Sequence, residues 1–312
     1  MAAYTELLEK DFARQIEFLN IKKYHELGYR GIGIAILNAE GSGDHREMTS
    51  KVIMDYAPEV TLLESIISVR TSGDKVLEAT VTINGEKLDF EKVIDKYNIK
   101  IITRSYSGSS STAYLNYLKD IQKRKGVIFL NSAGNEVVDN GIWSRNNTAI
   151  TVSACKLYED GNIKIAYYGS QGEVDFACFM ARGQGTSAAS PALAAMTALL
   201  LQKYGDFNQE ECVEILKSIS NDIGDPVKYG WGLPILPLED KLEILEKLRG
   251  AEEMQFKDVE DTRWSKAAID RCVAEGLLVG FEDGTFRPTE TVTREQFAII
   301  LTRILDKIEG RQ

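Results

Sequence analysis

Histidine is scarce in this sequence. Its 312 residues hold two, His25 and His45, so any imidazole chemistry falls to one of these positions. Cysteine is nearly as rare: Cys155, Cys178, Cys212 and Cys272 are scattered, with no CxxC spacing, and read as free core thiols in a reducing compartment. Positive charge is in deficit. With 37 Lys+Arg against 47 Asp+Glu the formal net charge is −10, and no basic cluster offsets it, which argues against nucleic acid as the main partner. Long apolar runs are missing too. The longest, Ala192 to Leu201, is about half of what a membrane span requires. The opening stretch Met1 to Lys10 is acidic and lacks the basic start and apolar centre of a secretory signal, so the chain as written reads as cytoplasmic.

What is present is a soluble globular composition, 44% hydrophobic and 27% charged, long enough for one large core and a small second unit. Within it the stretch Gly185-Thr186-Ser187-Ala188-Ala189-Ser190-Pro191 runs straight into the apolar helix Ala192 to Leu201. A serine placed where a glycine-hinged loop becomes a helix exposes its hydroxyl beside unpaired N–H groups and the positive end of the helix dipole. That suits a nucleophile. Pro191 is expected in or near the first turn, where its missing N–H costs little. A plain serine cap has the same local pattern, so the partners decide.

Those partners lie upstream. Ile32 to Asn38 is short and apolar, as a buried parallel strand would be, and the glycine-rich Ala39 to Asp44 joins it to His45, with Ala57-Pro58 twelve positions on. Ile99 to Ile102 reads as a strand entering Arg104-Ser105-Tyr106-Ser107-Gly108, and Val127 to Leu130 as another entering Asn131-Ser132-Ala133-Gly134-Asn135. Val60 to Val69 reads as one strand. Residues 78–83 and 86–88 form a predicted hairpin around Asn84-Gly85. His25 falls in the opening helical stretch, where a surface or helix-end role is expected.

Gly-Thr-Ser-x-x-x-Pro at 185–191 resembles the nucleophile signature of subtilisin-like serine peptidases. His45 with Ala57-Pro58, Ala133-Gly134-Asn135 and Tyr229-Gly230-Trp231-Gly232 resemble other blocks of that family in the same order. The resemblance implies an α/β fold, a doubly wound and mainly parallel sheet with flanking helices, over residues 28–236 after a helical segment at 1–27. It implies Ser187 as nucleophile, His45 as general base and Asn135 with the Ser187 N–H as the oxyanion site. Ser105, Tyr106 and Ser107, with Ser132, Ala133 and Gly134, would line the substrate cleft, for a protein or peptide substrate. Calcium sites are common in that family, but no loop here is assigned to one, and no cofactor is called for.

Two departures matter. Arg46 and Glu47 replace the Gly-Thr that usually follows the histidine, and the strand end that should carry the catalytic aspartate carries Asn38. Three accounts stay open. Glu40 or Asp44 supplies a displaced carboxylate, with Glu40 the better because Asp44 adjoins His45; Asn38 occupies the acid's place with low activity; or the chain is an inactive peptidase fold that binds peptides or serves as a scaffold.

The stretch 237–255 alternates leucine and charge at helical spacing and reads as a helical linker. Beyond it, Phe256-x-Asp258-Val259, Trp264, Gly276 to Gly280, Asp283-Gly284-Thr285-Phe286-Arg287-Pro288 and Thr293-Arg294-Glu295-Gln296-Phe297 resemble an S-layer homology repeat, a small all-α unit over 256–312. That resemblance implies contact with an anionic cell-wall polysaccharide through Arg294 and Trp264, and a bacterial envelope or a phage-released setting. Gln296 departs from the family's Glu. Use of both units for assembly alone, as an envelope or phage component, is the third reading.

Overall fold

The computed structural model describes residues 2–105, 111–135, 148–165, 174–180, 185–239, 256–260, 263–274, 277–281 and 283–308. Tyr106, Ser107 and most of the linker stretch lie outside the described residues. The chain forms two compact units, Met1–Asp240 and Lys241–Gln312.

The opening helical stretch is two helices, α1 (Ala2–Phe18) and α2 (Ile21–Glu26), and belongs to the first unit. Leu19, Ile21 and Tyr24 are fully buried, and Asn20, in the left-handed region at φ 62°, donates through Nδ2 to the Leu236 carbonyl at 2.8 Å. The short apolar runs become strands buried on both faces, as parallel strands require. In chain order the first unit continues with β1 (Ala35–Asn38), α3 (Asp44–Tyr56), β2 (Thr61–Glu64), β3 (Ile67–Ser72), β4 (Lys75–Ile83), β5 (Glu86–Asp89), α4 (Phe90–Tyr97) and β6 (Ile99–Arg104). Then come α5 (Thr112–Lys125), β7 (Ile128–Ser132), β8 (Ile150–Leu157), β9 (Ile163–Ile165), β10 (Phe176–Phe179) and α6 (Thr186–Tyr204). The unit closes with α7 (Gln209–Ser218), β11 (Ser220–Asn221), α8 (Pro226–Tyr229) and β12 (Leu233–Pro234).

The main sheet runs in the order β10-β8-β7-β6-β1-β2, with every neighbour pair on this path parallel and β9 added antiparallel to β8. From β1 the chain steps outward to β2 on one side, and from β6 outward to β7, β8 and β10 on the other. The order therefore reverses between β1 and β6. Open α/β sheets bind ligands beyond the carboxyl ends of their strands at such a point. Asn38, Arg104 and Ser132 are the last residues of β1, β6 and β7.

Two expectations are corrected. Val60 to Val69 is not one strand: β2 pairs with β1, whereas β3 joins β4 and β5 in a separate antiparallel sheet. Ser65 makes the break, donating from Oγ to the Thr82 carbonyl at 3.0 Å and accepting from the Thr82 N–H at 2.8 Å, which redirects the chain onto the second sheet. Pro191 is not in the first turn either. Helix α6 opens at Thr186, so the proline is its sixth residue, and its missing N–H leaves the Ser187 carbonyl without the usual helical donor. The helix continues because Ala188 to Leu201 are all buried and the sheet and α3 pack around it.

The second unit holds α9 (Lys266–Ala274) and α10 (Arg294–Ile308). Its small core is Phe256, Val259, Ile269 and Val273, with Leu278 and Phe286 packed against it. Asp258 accepts from the Phe286 and Arg287 N–H groups at 2.8 and 2.7 Å, which fixes the Asp-Gly turn.

Candidate active site

At the reversal point, five segments converge. Gly185 takes φ 65°, ψ −164° and caps α6; a Cβ there would run into the Asn135 carboxamide, which is why a glycine stands at this position. The Asn135 Oδ1 accepts from the Thr186 N–H and hydroxyl, both at 3.0 Å. With its oxygen turned to the helix start, Asn135 keeps Nδ2 as its donor. Ser187, the second residue of α6, donates from Oγ to the Ser105 carbonyl at 3.3 Å.

Ser105 lies just past the end of β6, and its N–H donates to the Glu40 carboxylate. The other carboxylate oxygen, Oε2, stands 3.2 Å from His45 Nδ1 in the first turn of α3. Glu40 is 3% exposed and His45 48%, so a buried acid faces a half-exposed imidazole. Burial pushes the Glu40 carboxyl above the usual carboxylate range, opposed by the Ser105 N–H and the charge of His45.

Asn38 points elsewhere. It is fully buried, and its Nδ2 donates to Thr49 Oγ1 and Ser50 Oγ on α3, both at 2.9 Å. Asp44 is exposed at the start of α3. Ser132 and Ala133 are buried at the end of β7, where the Ala133 N–H donates to the Val152 carbonyl at 2.9 Å, and Gly134 follows at φ 93°. His25 Nε2 lies 2.8 Å from the Tyr56 carbonyl, a helix-end contact, and burial lowers its pKa. Among the described residues no group of three His, Cys, Asp or Glu is placed to hold a metal ion.

The role of Ser105 is the part sequence reasoning missed. It expected a substrate wall; the peptide groups flanking this residue also bridge Glu40 and Ser187. Backbone donors leave no mark on sequence. Thr49 and Ser50 were missed as well, although their distance of four and five residues from His45 along a helix was readable.

In the second unit Thr293 and Gln296 form a reciprocal cap on α10: the Thr293 N–H donates to Gln296 Oε1 at 2.8 Å and the Gln296 N–H to Thr293 Oγ1 at 3.2 Å. Glutamine thus fills the capping place of Glu. Arg294 is exposed in the first turn and Trp264 is 93% exposed. Arg287, at φ 56°, sets its guanidinium 4.0 Å from the centroid of the Phe281 ring and pairs with Asp283 at 2.9 Å.

A serine at a helix start bonded to the Ser105 carbonyl, an imidazole paired with a buried carboxylate and a carboxamide donor, at the carboxyl edge of a parallel sheet, are the kinds of group that a serine-peptidase site uses. The chain belongs to the subtilase family, whose model matches residues 56–232, and carries an S-layer homology domain matched at residues 255–298. Among solved structures it is similar to fervidolysin from Fervidobacterium pennivorans, a keratinolytic enzyme related to subtilisin. That similarity has a TM-score of 0.51 and 16% identity over 74% of this chain and 45% of that one, and it concerns the fold. Among curated proteins it is similar to the outer membrane protein SlpA of Thermus thermophilus, 46% identical over 55 residues, 18% of this chain and 6% of that protein. It is also similar to cell surface glycoprotein 1 of Acetivibrio thermocellus, 36% identical over 76 residues, 22% of this chain and 3% of that protein. The chain thus spans a small fraction of the length of these curated relatives. Among the described residues no helix is long and apolar enough to cross a membrane.

Proposed function

We propose that the chain is a serine endopeptidase whose acid is Glu40, displaced by two residues from the strand end where Asn38 stands. The observation that carries this is the pairing of a buried carboxylate with His45 Nδ1 at 3.2 Å, the carboxylate being held by the N–H of Ser105, the residue whose carbonyl accepts from Ser187. In the reaction His45 Nε2 accepts the Ser187 proton as Oγ attacks the scissile carbonyl. Asn135 Nδ2 and the Ser187 N–H hold the oxyanion. The imidazolium returns its proton to the leaving amine, and a water then hydrolyses the acyl-serine by the same steps in reverse roles. Glu40 keeps Nδ1 protonated and faces the charge that forms on the ring. The carboxyl-terminal edge of β6, at Ser105, is the proposed edge for an extended substrate.

The second unit is proposed to hold the protein at a bacterial envelope by binding an anionic wall polysaccharide through Arg294 and Trp264. Support comes from the exposure of both side chains and from the surface and outer-membrane names of the relatives that share this domain.

Labelling with a fluorophosphonate tests the first proposal without knowledge of the substrate. Covalent labelling of the native chain, absent in Ser187→Ala, is the expected result. Folded native protein that takes no label would favour the second reading, a peptide-binding scaffold, which the direction of the Ser187 hydroxyl toward Ser105 would then explain. Pull-down on purified wall polysaccharide, lost in Arg294→Ala, tests the second unit.

A further inference from the structure

Asn38 has more than one tie at the end of β1. Its backbone carbonyl accepts from the Glu40 N–H at 2.9 Å and from the Ser65 N–H at 3.1 Å, and its Nδ2 reaches Thr49 and Ser50, the helix turn after His45. The Thr49 hydroxyl donates its proton to the Arg46 carbonyl at 3.0 Å, so its oxygen meets Asn38 as an acceptor and requires a donor there. Among the described residues Asn38 Oδ1 has no hydrogen-bond partner. We infer that Asn38 is a positioning residue for the peptidase reaction: its side-chain N–H pins α3 to the strand end and thereby sets where His45 stands relative to Glu40. This rests on the reading of Glu40 as the acid.

A carboxylate would fit poorly in the same place. One oxygen would face the Thr49 lone pair with the Ser50 hydroxyl as its one side-chain donor, and the other would occupy the site where Oδ1 finds no donor, so burial would make an aspartate here hold its proton above the usual carboxylate range. The charged and titratable groups on the surrounding elements are Glu40 beyond β1, Asp44, His45, Arg46, Glu47, Lys51, Asp55 and Tyr56 on α3, Glu64 on β2, and Lys100 and Arg104 on β6. The first five residues of α6 carry no charged group, only the hydroxyls of Thr186, Ser187 and Ser190. A protonated aspartic acid, by contrast, can donate to Thr49 as the amide does.

The test is the second-order rate of fluorophosphonate labelling of Ser187, measured from pH 6 to 9 in the full chain. Asn38→Leu, without the donor, should lower the rate about ten- to hundredfold at every pH, the scale of a misplaced catalytic group. Asn38→Asp should recover most of that loss at pH 6, and its rate relative to the native chain should fall steadily toward pH 9 as the proton leaves. Native rates in Asn38→Leu would overturn the inference. So would an Asn38→Asp chain faster than the native one, or one that restores activity to Glu40→Gln, since position 38 would then be the seat of the acid. If Asn38→Asp does not fold, Thr49→Val removes the acceptor instead; a tenfold or greater loss is expected, and full activity overturns the inference. Glu40→Gln alone at the native rate would refute the acid assignment, while the Asn38→Leu and Asn38→Asp comparison would still report on the anchor.

Discussion

Replacing Glu40 by glutamine keeps the side chain's shape and its capacity to accept from the Ser105 N–H while removing the charge beside His45. At the 3.2 Å separation of the pair, and with an effective dielectric constant near 20, the attraction between carboxylate and imidazolium is about 5 kcal/mol. His45 is half exposed, so solvent screening cuts this to about half, or roughly 10²-fold in rate. The glutamine amide can also favour the wrong imidazole tautomer, which brings the ceiling to about 10⁴. The expected loss in labelling or peptide-hydrolysis rate therefore lies between about 10² and 10⁴. Stability should move the opposite way. Burial raises the Glu40 carboxyl above its unfolded value, so the native chain loses stability as the pH rises from the unfolded value through the raised one. Glu40→Gln removes that loss. Its melting temperature relative to the native chain should rise between pH 4 and pH 7, measured by calorimetry. A rate within threefold of native, or a relative melting temperature that falls over that pH range, would refute the reasoning.

Asn135→Ala removes the proposed oxyanion donor and should lower turnover by about 10²–10³, the range for such a donor in subtilisin itself, while labelling by a fluorophosphonate slows in parallel. Gly185→Ala strains a positive φ and drives a Cβ into the Asn135 carboxamide, so it should destabilise the first unit by about 1–3 kcal/mol in urea melts and slow labelling as well. Leu19→Ala empties a fully buried site between the opening helices of the first unit and should cost about 2–5 kcal/mol in the same melts.

The sequence alone determined the strand ends and the helix start that carry chemistry. Apolar runs of four to seven residues rich in Ile and Val read as buried strands, and Gly185-Thr186-Ser187, Ala133-Gly134-Asn135 and the scarce histidine narrowed the chemistry to a few side chains. It also determined the second unit, whose Asp-Gly turn and Thr293 cap are local devices written in neighbouring residues. The tertiary structure alone decided which carboxyl faces His45. That choice depends on the chain's course over the two residues after Asn38 and on the backbone N–H of Ser105, just past β6 and 65 residues away, and hydrogen bonds of the main chain carry no residue signature. It also decided that Ser65 splits one apolar run between two sheets and that Pro191 sits within a helix. In the first case side-chain to main-chain hydrogen bonds from Ser65 to a residue of another strand redirected the chain, and in the second packing around a buried helix outweighed the local preference of proline.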